Sequence, residues 1–559
     1  MKNTYKLFAV AALASSLTLT SCIEETIPTS TVTDEALNSS SKASESLVWT
    51  MAGFLNNYGT YDASYAYDWG YGALMHIRDV MTADMAVDPA DGYDWFATWA
   101  QNQYQGRRYI VCYFPWGYFC KAINICNSAI GALKGAEEGQ SAGYLGASYA
   151  YRALYYMDMV RMYEFLPCDV YGADYVTPEG NSVNYLTAPI VTEETSEAAC
   201  RNNPRATHEE MFEFILSDLK KAEGLINEYS RPSKVMPDLA CVYGLKARLH
   251  LWNASYLEES GTGDAMAEYK LAEEAARDAI DLGANKPLTE AEWLDTKTGF
   301  NTMSVSSWMW SSHATADDDV VKDEAMNWTS WMSTEQLFGY TAVEPKAPLP
   351  MIASALYDQI SNSDFRKLSY IAPDGHVLSG KEPLLVTDPS NEAYRRDALV
   401  PYTSVKFRPG SGDAKDAKTG AACDYPLMRI EEMYLIEAEA AAHQDAGRGA
   451  ELLNAFVQNY RDSEFNCAAE SSEQVVDAVF LQKRIELWGE GLIFFDYKRL
   501  NKSVDRTISS NWDATQNFKT KGRPSWMNFC ITIAEDNNNA GLAAFANPDP
   551  SDTYKPVKK

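Results

Sequence analysis

The chain has 559 residues and a mass of 62.3 kDa, with 48 Lys and Arg against 77 Asp and Glu, a formal net charge of −29 and a pI near 4.6. That balance excludes an ordinary nucleic-acid binder, because neutralising phosphates takes clustered cations. With 46% hydrophobic and 22% charged residues the composition also excludes a disordered chain, and the length suffices for a large core. Its 14 Trp, 34 Tyr and 20 Phe exceed what a core requires, so some are expected to face a ligand or a partner.

Lys2 and Lys6 precede an apolar run from Leu7 to Leu19, too short to span a bilayer but suited to a secretory leader. The run ends in Leu19-Thr20-Ser21-Cys22, which resembles a bacterial lipobox: small residues fit the peptidase and the Cys22 thiol accepts the lipid. Residues 1–21 are therefore expected to be removed, with Cys22 lipidated and the chain held at a membrane without a transmembrane helix. Glu24-Glu25 resembles the acidic tag that directs some lipoproteins to the outer cell face. Residues 22–45, rich in Ser and Thr, read as a flexible tether. Nine cysteines remain beyond Cys22, with no C-x-x-C pair to suggest zinc or dithiol chemistry, and Cys126 and Cys241 fall on apolar helical stripes.

Helices follow at steps of three and four. Trp116, Phe119, Ile123, Cys126 and Ile130 share one face, as do Tyr149, Ala153, Tyr156, Val160 and Tyr163. Thr207-x-x-Glu210 is a capping box opening a third helix over Phe212, Ile215, Leu219, Ala222 and Ile226. Val242, Leu245, Leu249 and Trp252 mark a fourth, and Tyr269, Ala272, Ala276 and Ala279 a fifth, closed by Gly283. A second pair covers 427–442 and 450–460, and a last helix carries Ala478, Leu481, Ile485 and Trp488. Between 284 and 425 helical period gives way to Trp, Gly, Pro and Asp clusters, with a strand expected over Thr403–Arg408. The fold class is mainly α: a helical scaffold over about 46–283 and 426–505, carrying a loop-rich, short-strand insertion over about 284–425 within one domain, 46–559.

Gln482 to Arg499 (QKRIELWGEGLIFFDYKR) and Pro426 to Ala441 (PLMRIEEMYLIEAEAA) resemble two signature blocks of the SusD/RagB family of outer-membrane lipoproteins. Trp116–Asn127, Tyr149–Tyr163 and Pro350–Arg366 are similar to three further blocks of that family, in the same order. Glu164-Phe165-Leu166-Pro167 departs from it where many members have Tyr-Gly-x-x-Pro. The resemblance implies tetratricopeptide-like helix pairs. It further implies a non-catalytic, outward-facing lipoprotein that captures glycans and delivers them to a SusC-like TonB-dependent transporter. A peptide or glycopeptide nutrient, or a structural lid with little binding of its own, are the alternatives.

Sugar rings present apolar C–H faces, so glycan sites combine flat aromatics with Asn, Asp and Arg. Two segments have that make-up. One runs from Asp91 to Asn102 and offers Asp94, Trp95, Trp99 and Asn102; the other is Asn327-Trp328-Thr329-Ser330-Trp331. Trp328 and Trp331 are expected to form the platform, helped by Trp95 and Trp99, although the i,i+4 spacing of the latter two also suits a buried stripe. Trp308 and Trp310 share a strand face and read as packing. The acidic charge favours a neutral glycan. Asp317-Asp318-Asp319 could hold calcium or form a solvated loop; no cofactor or other metal is expected. Arg484, Glu486, Glu490, Asp496 and Arg499 lie at helical spacing and read as ion pairs fastening helices, not as catalytic groups. None of the six His has triad or metal-ligand spacing.

Overall fold

A computed structural model describes residues 41–59, 67–87, 89, 94–322, 327–334, 349–385 and 399–558. The leader, Cys22 and Glu24-Glu25 lie outside those residues, as do Asp91 to Tyr93 and the side chain of Asp94. The tether ends earlier than its composition suggests, because α1 (Ser41–Phe54) is already helical. Its Val48 and Met51 are fully buried, and Ser44 reaches Ser141 across 2.9 Å, so this face docks on the scaffold despite its polar sequence.

The chain continues through α2 (Tyr71–Val80), β1 (Met85–Ala86), α3 (Asp94–Ala100), α4 (Ile110–Leu133) and α5 (Gly139–Tyr163). α5 is buried along nearly its whole length. At Gly143 an added Cβ would stand 2.3 Å from the Tyr229 Cβ, so only glycine admits the chain that crosses there. α6 (His208–Leu225) opens with the reciprocal Thr207–Glu210 capping box. α7 (Leu239–Ser260) is capped by Asp238 and ends on left-handed Gly261. α8 (Ala265–Leu282) lays its buried Tyr269, Ala272, Ala276 and Ala279 between α7 and a later helix, where alanines let three backbones approach.

After α8 come β2 (Trp308–Ser311), α9 (Trp328–Met332), β3 (Met351–Ile352) and β4 (Pro426–Arg429). Among the described residues two two-stranded antiparallel sheets result, β1 with β3 and β2 with β4, and the second pairs Trp308 with Arg429. Trp308 and Trp310 are both fully buried, and Trp310 Nε1 donates to Val235 O at 2.9 Å. Thr403–Arg408 is not a strand: only Thr403 and Ser404 form isolated bridges, and the run continues as buried irregular chain with a bend at Phe407. Its Lys406 turns inward to Glu490 at 2.7 Å.

The scaffold closes with α10 (Ile430–Gln444), α11 (Ala446–Tyr460), α12 (Ser472–Glu486) and α13 (Ile493–Arg499). α10 packs on α8, α11 and α12, so the late helices complete the early ones. On α12 the buried face is Val475, Val476, Val479, Phe480 and Ile485; the expected Ala478 and Leu481 are only half-buried, and Trp488 lies beyond the helix end.

Beneath α12 sits a buried network of four cations and four carboxylates. Glu486 accepts from Arg366 Nη1 (2.9 Å), Arg429 Nη1 (3.1 Å), Arg461 Nε (2.8 Å) and Arg461 Nη2 (2.9 Å). Glu431 shares Arg429 and Arg461, Glu490 shares Arg429 and Lys406, and Asp364 holds Arg366. Burial alone would raise the Glu486 pKa, but Arg461, Arg429 and Arg366 outweigh it and hold the carboxyl well below its ordinary 4.5. Burial lowers Lys406 to about 8 against the pull of Glu490. Arg484 leaves this network for Asp84, at 2.5 Å, and Arg499 pairs with Glu439 and Asp496. These side chains are largely buried, Arg484 least so, which suits fastening.

Candidate carbohydrate-facing surface

The structure corrects the expected tryptophan platform. Trp328 is 4% exposed and Trp331 is 3% exposed, in the short helix α9. Trp328 packs edge-on against Phe407 at 5.4 Å and beside Tyr425 at 5.6 Å; Trp331 stands edge-on to Phe96 at 4.8 Å. Asn327 is buried as well and caps α9 by accepting from Ser330 N at 3.0 Å. The surrounding Asn, Thr and Ser look like the rim of a site in sequence, yet they are the capping turn that lets both indoles point inward. Trp99 is likewise buried, against Phe96 at 5.4 Å and Tyr67 at 5.9 Å.

Asn102 is also internal, 1% exposed, in left-handed backbone with φ 57°. Its Nδ2 donates to Gln105 Oε1 and to Pro550 O, each at 2.8 Å, and its Oδ1 accepts from Tyr554 N at 3.2 Å. It is a brace for the loop after α3 and offers nothing to a ligand.

What that brace supports is an exposed aromatic row. Trp95 lies half-buried on α3, its indole stacked on Trp99 at 6.5 Å and meeting the Tyr104 ring edge-on at 6.0 Å. Tyr104 is 46% exposed, and its ring stands 5.1 Å from that of Tyr109, itself 37% exposed. Tyr104 also adopts φ 54°, a strained choice for an aromatic residue, retained because its neighbours over-determine the loop. Gln105 Nε2 donates to Trp99 O at 2.8 Å, Gln105 N to Ser551 Oγ at 2.8 Å, and Arg107 Nε to Ile531 O at 3.0 Å. Gly106 lets the Asp549 carboxylate lie close, since a Cβ there would fall 2.0 Å from Asp549 Oδ2 and displace it. The C-terminal segment thus clamps the loop, and the rings stand preorganised on one surface. Of the four expected tryptophans Trp95 alone is part-exposed, and the sequence did not single out Tyr104 and Tyr109. A Tyr-rich, periodicity-free stretch directly before a long helix was the available signal.

His208 contacts Glu164, which also accepts from Trp252 Nε1; His250 contacts Glu268; and His313 contacts Asp424, which also accepts from Met303 N. Among the described residues no group of three or more His, Cys, Asp and Glu is placed to hold a metal ion. In the acidic run Asp318 accepts from Thr315 N and Oγ1, and Asp319 pairs with Lys322. No described helix is long and apolar enough to cross a membrane.

Residues 285–541 match the model of the SusD family, and residues 24–251 match one described as starch-binding, associating with outer membrane. No match is found among curated proteins. Among solved structures, a SusD-like carbohydrate binding protein from Bacteroides vulgatus superposes with a TM-score of 0.68 at 21% identity, covering 90% of this chain and 97% of that one. A SusD superfamily protein from Bacteroides thetaiotaomicron gives 0.65 at 17% identity, over 91% of this chain and 100% of the other. A laminarin binding SusD-like protein gives 0.61 at 15% identity, covering 91% and 99%. Two family models that between them reach from the N-terminal residues to the C-terminal clamp, on a fold these structures share, place the chain in the SusD/RagB family of non-catalytic carbohydrate-binding proteins.

Proposed function

We propose that the protein captures a neutral glycan at the cell surface and passes it to a SusC-like TonB-dependent transporter, with Trp95, Tyr104 and Tyr109 as the sugar-stacking surface. The observation that carries this reading is the braced aromatic row, in which Tyr104 and Tyr109 are exposed beside half-buried Trp95. Stacking contributes roughly 0.5–1.5 kcal/mol per aromatic contact beyond burial, strong enough to hold a sugar and weak enough to release it. Prebracing by Asn102, Gln105 and Gly106 spares the ordering cost that a mobile loop would carry on binding. The net charge of −29 disfavours polyanionic glycans at long range. Anchoring through lipid on Cys22, with the chain facing outward, rests on the lipobox and on Glu24-Glu25. Affinity electrophoresis through gels cast with neutral polysaccharides tests the reading. Retardation of wild type, lost in folded Trp95→Ala/Tyr104→Ala, supports it; equal retardation of both removes this surface from the site.

A further inference from the structure

A cavity of about 540 Å³ opens where the C-terminal end of α11 meets the chain at 288–290 and the loop leading into the short turn Phe365–Ser369. It shares no lining residue with the row of Trp95, Tyr104 and Tyr109. Its floor is held by the buried network. Arg461 lines it with every side-chain nitrogen engaged: Nε and Nη2 reach Glu486 and Glu431, and Nη1 donates to Leu288 O and Tyr460 O, each at 2.7 Å. Asp364 is occupied by Arg366. Asp462 differs from both. It is 5% exposed and lines the cavity, yet no Lys, Arg or His among the described residues pairs with it. Its Oδ1 accepts from Glu464 N at 3.0 Å, which leaves Oδ2 for a donor inside the cavity.

Above that floor the rim is rich in amides. Gln458 Nε2 donates to Phe465 O at 2.8 Å and keeps Oε1 to accept; Asn362 Oδ1 accepts from Lys367 Nζ at 3.0 Å and keeps Nδ2 to donate. Asn459 is exposed and makes no side-chain hydrogen bond among the described residues, so it offers both roles. Tyr460, 36% exposed, has its ring held 5.9 Å from those of Tyr434 and Phe456. We propose that this cavity is a second saccharide site, taking a short neutral oligosaccharide. Its volume lies in the range of small-molecule sites. A sugar's adjacent hydroxyls can donate to Asp462 while others meet the amides, and Tyr460 supplies a flat apolar face at the edge. Asp462 and Glu290 disfavour acidic sugars, and Leu288 and Leu378 are too little apolar surface for a lipid chain. The ligand class rests on the function proposed above; the site stands apart from the aromatic row.

The test uses purified protein carrying Trp95→Ala/Tyr104→Ala, which disables the aromatic row. Neutral di- to tetrasaccharides of glucose, galactose, mannose and xylose are titrated into it, with binding read by saturation-transfer NMR and calorimetry. At least one should bind. Asp462→Asn keeps the shape and should weaken that sugar roughly tenfold or more, as loss of a hydrogen bond to a charged acceptor implies. Asn459→Ala/Tyr460→Ala alters exposed side chains, so it should weaken binding at an unchanged melting temperature. Binding of none of these sugars, or binding undiminished in both variants, overturns the proposal. A sugar bound by wild type and lost altogether in the Trp95→Ala/Tyr104→Ala background also overturns it, while leaving the aromatic row standing. A sugar bound in that background and lost with Asp462→Asn supports the cavity, even where the row contributes nothing.

Discussion

Replacing Glu486 by Ala removes the centre of the buried network and leaves Arg366, Arg429 and Arg461 with one carboxylate too few. Four charge-assisted hydrogen bonds of 2.8–3.1 Å disappear at a position that is 0% exposed. Truncating one partner of a buried pair costs roughly 3–5 kcal/mol, mostly because the surviving charge is stranded. Unfolding entropy of about 2 cal/mol/K per residue amounts to roughly 1 kcal/mol/K for a chain of this length, so the melting temperature should fall by about 3–5 °C. Differential scanning calorimetry of the mature protein reads this directly. Glu486→Gln keeps the shape and loses the charge, so it should fall between wild type and the Ala variant. A Glu486→Ala protein that melts with wild type would refute the view that these charges hold the late helices to the insertion.

The same carboxylate sets a pH signature: its folded pKa is depressed, so its contribution is complete above pH 4.5 and is lost as pH falls below that value, and acid titration of the melting temperature should be shallower for Glu486→Gln than for wild type. Trp328→Ala should cost roughly 3–5 kcal/mol of stability, as expected for a large buried aromatic, and a well-folded variant with selective loss of binding would return Trp328 to the site. Cys22→Ala should release a soluble, folded chain from the membrane fraction, and retention of that variant would contradict lipid anchoring at Cys22.

Helix faces were legible because their period is local. Thr207 and Glu210 announce the start of α6, and the alanine stripe of α8 reports close helix packing before any partner is known. The site was less legible because burial is not a local property. Trp328 and Trp331 at i,i+3 among Asn, Thr and Ser look solvent-facing, and only the approach of Phe96, Phe407 and Tyr425 from three distant segments encloses them. Tyr104 and Tyr109 are exposed for the opposite reason. Their loop is pinned from below by residues 531–554, more than four hundred positions away, and nothing in their own neighbourhood records it. The Ser-rich start of α1 hid a helix whose apolar face is completed by α4 and α5.

Binding of purified protein to an array of neutral glycans, with wild type and Trp95→Ala/Tyr104→Ala compared at matched melting temperature, tests the central claim most directly. Wild type should retain at least one neutral oligosaccharide, and the double variant should lose it by an order of magnitude or more, as two stacking contacts of roughly 0.5–1.5 kcal/mol each imply together with their buried area. Undiminished binding by the folded double variant, or a wild-type protein that retains no neutral glycan, would contradict the account.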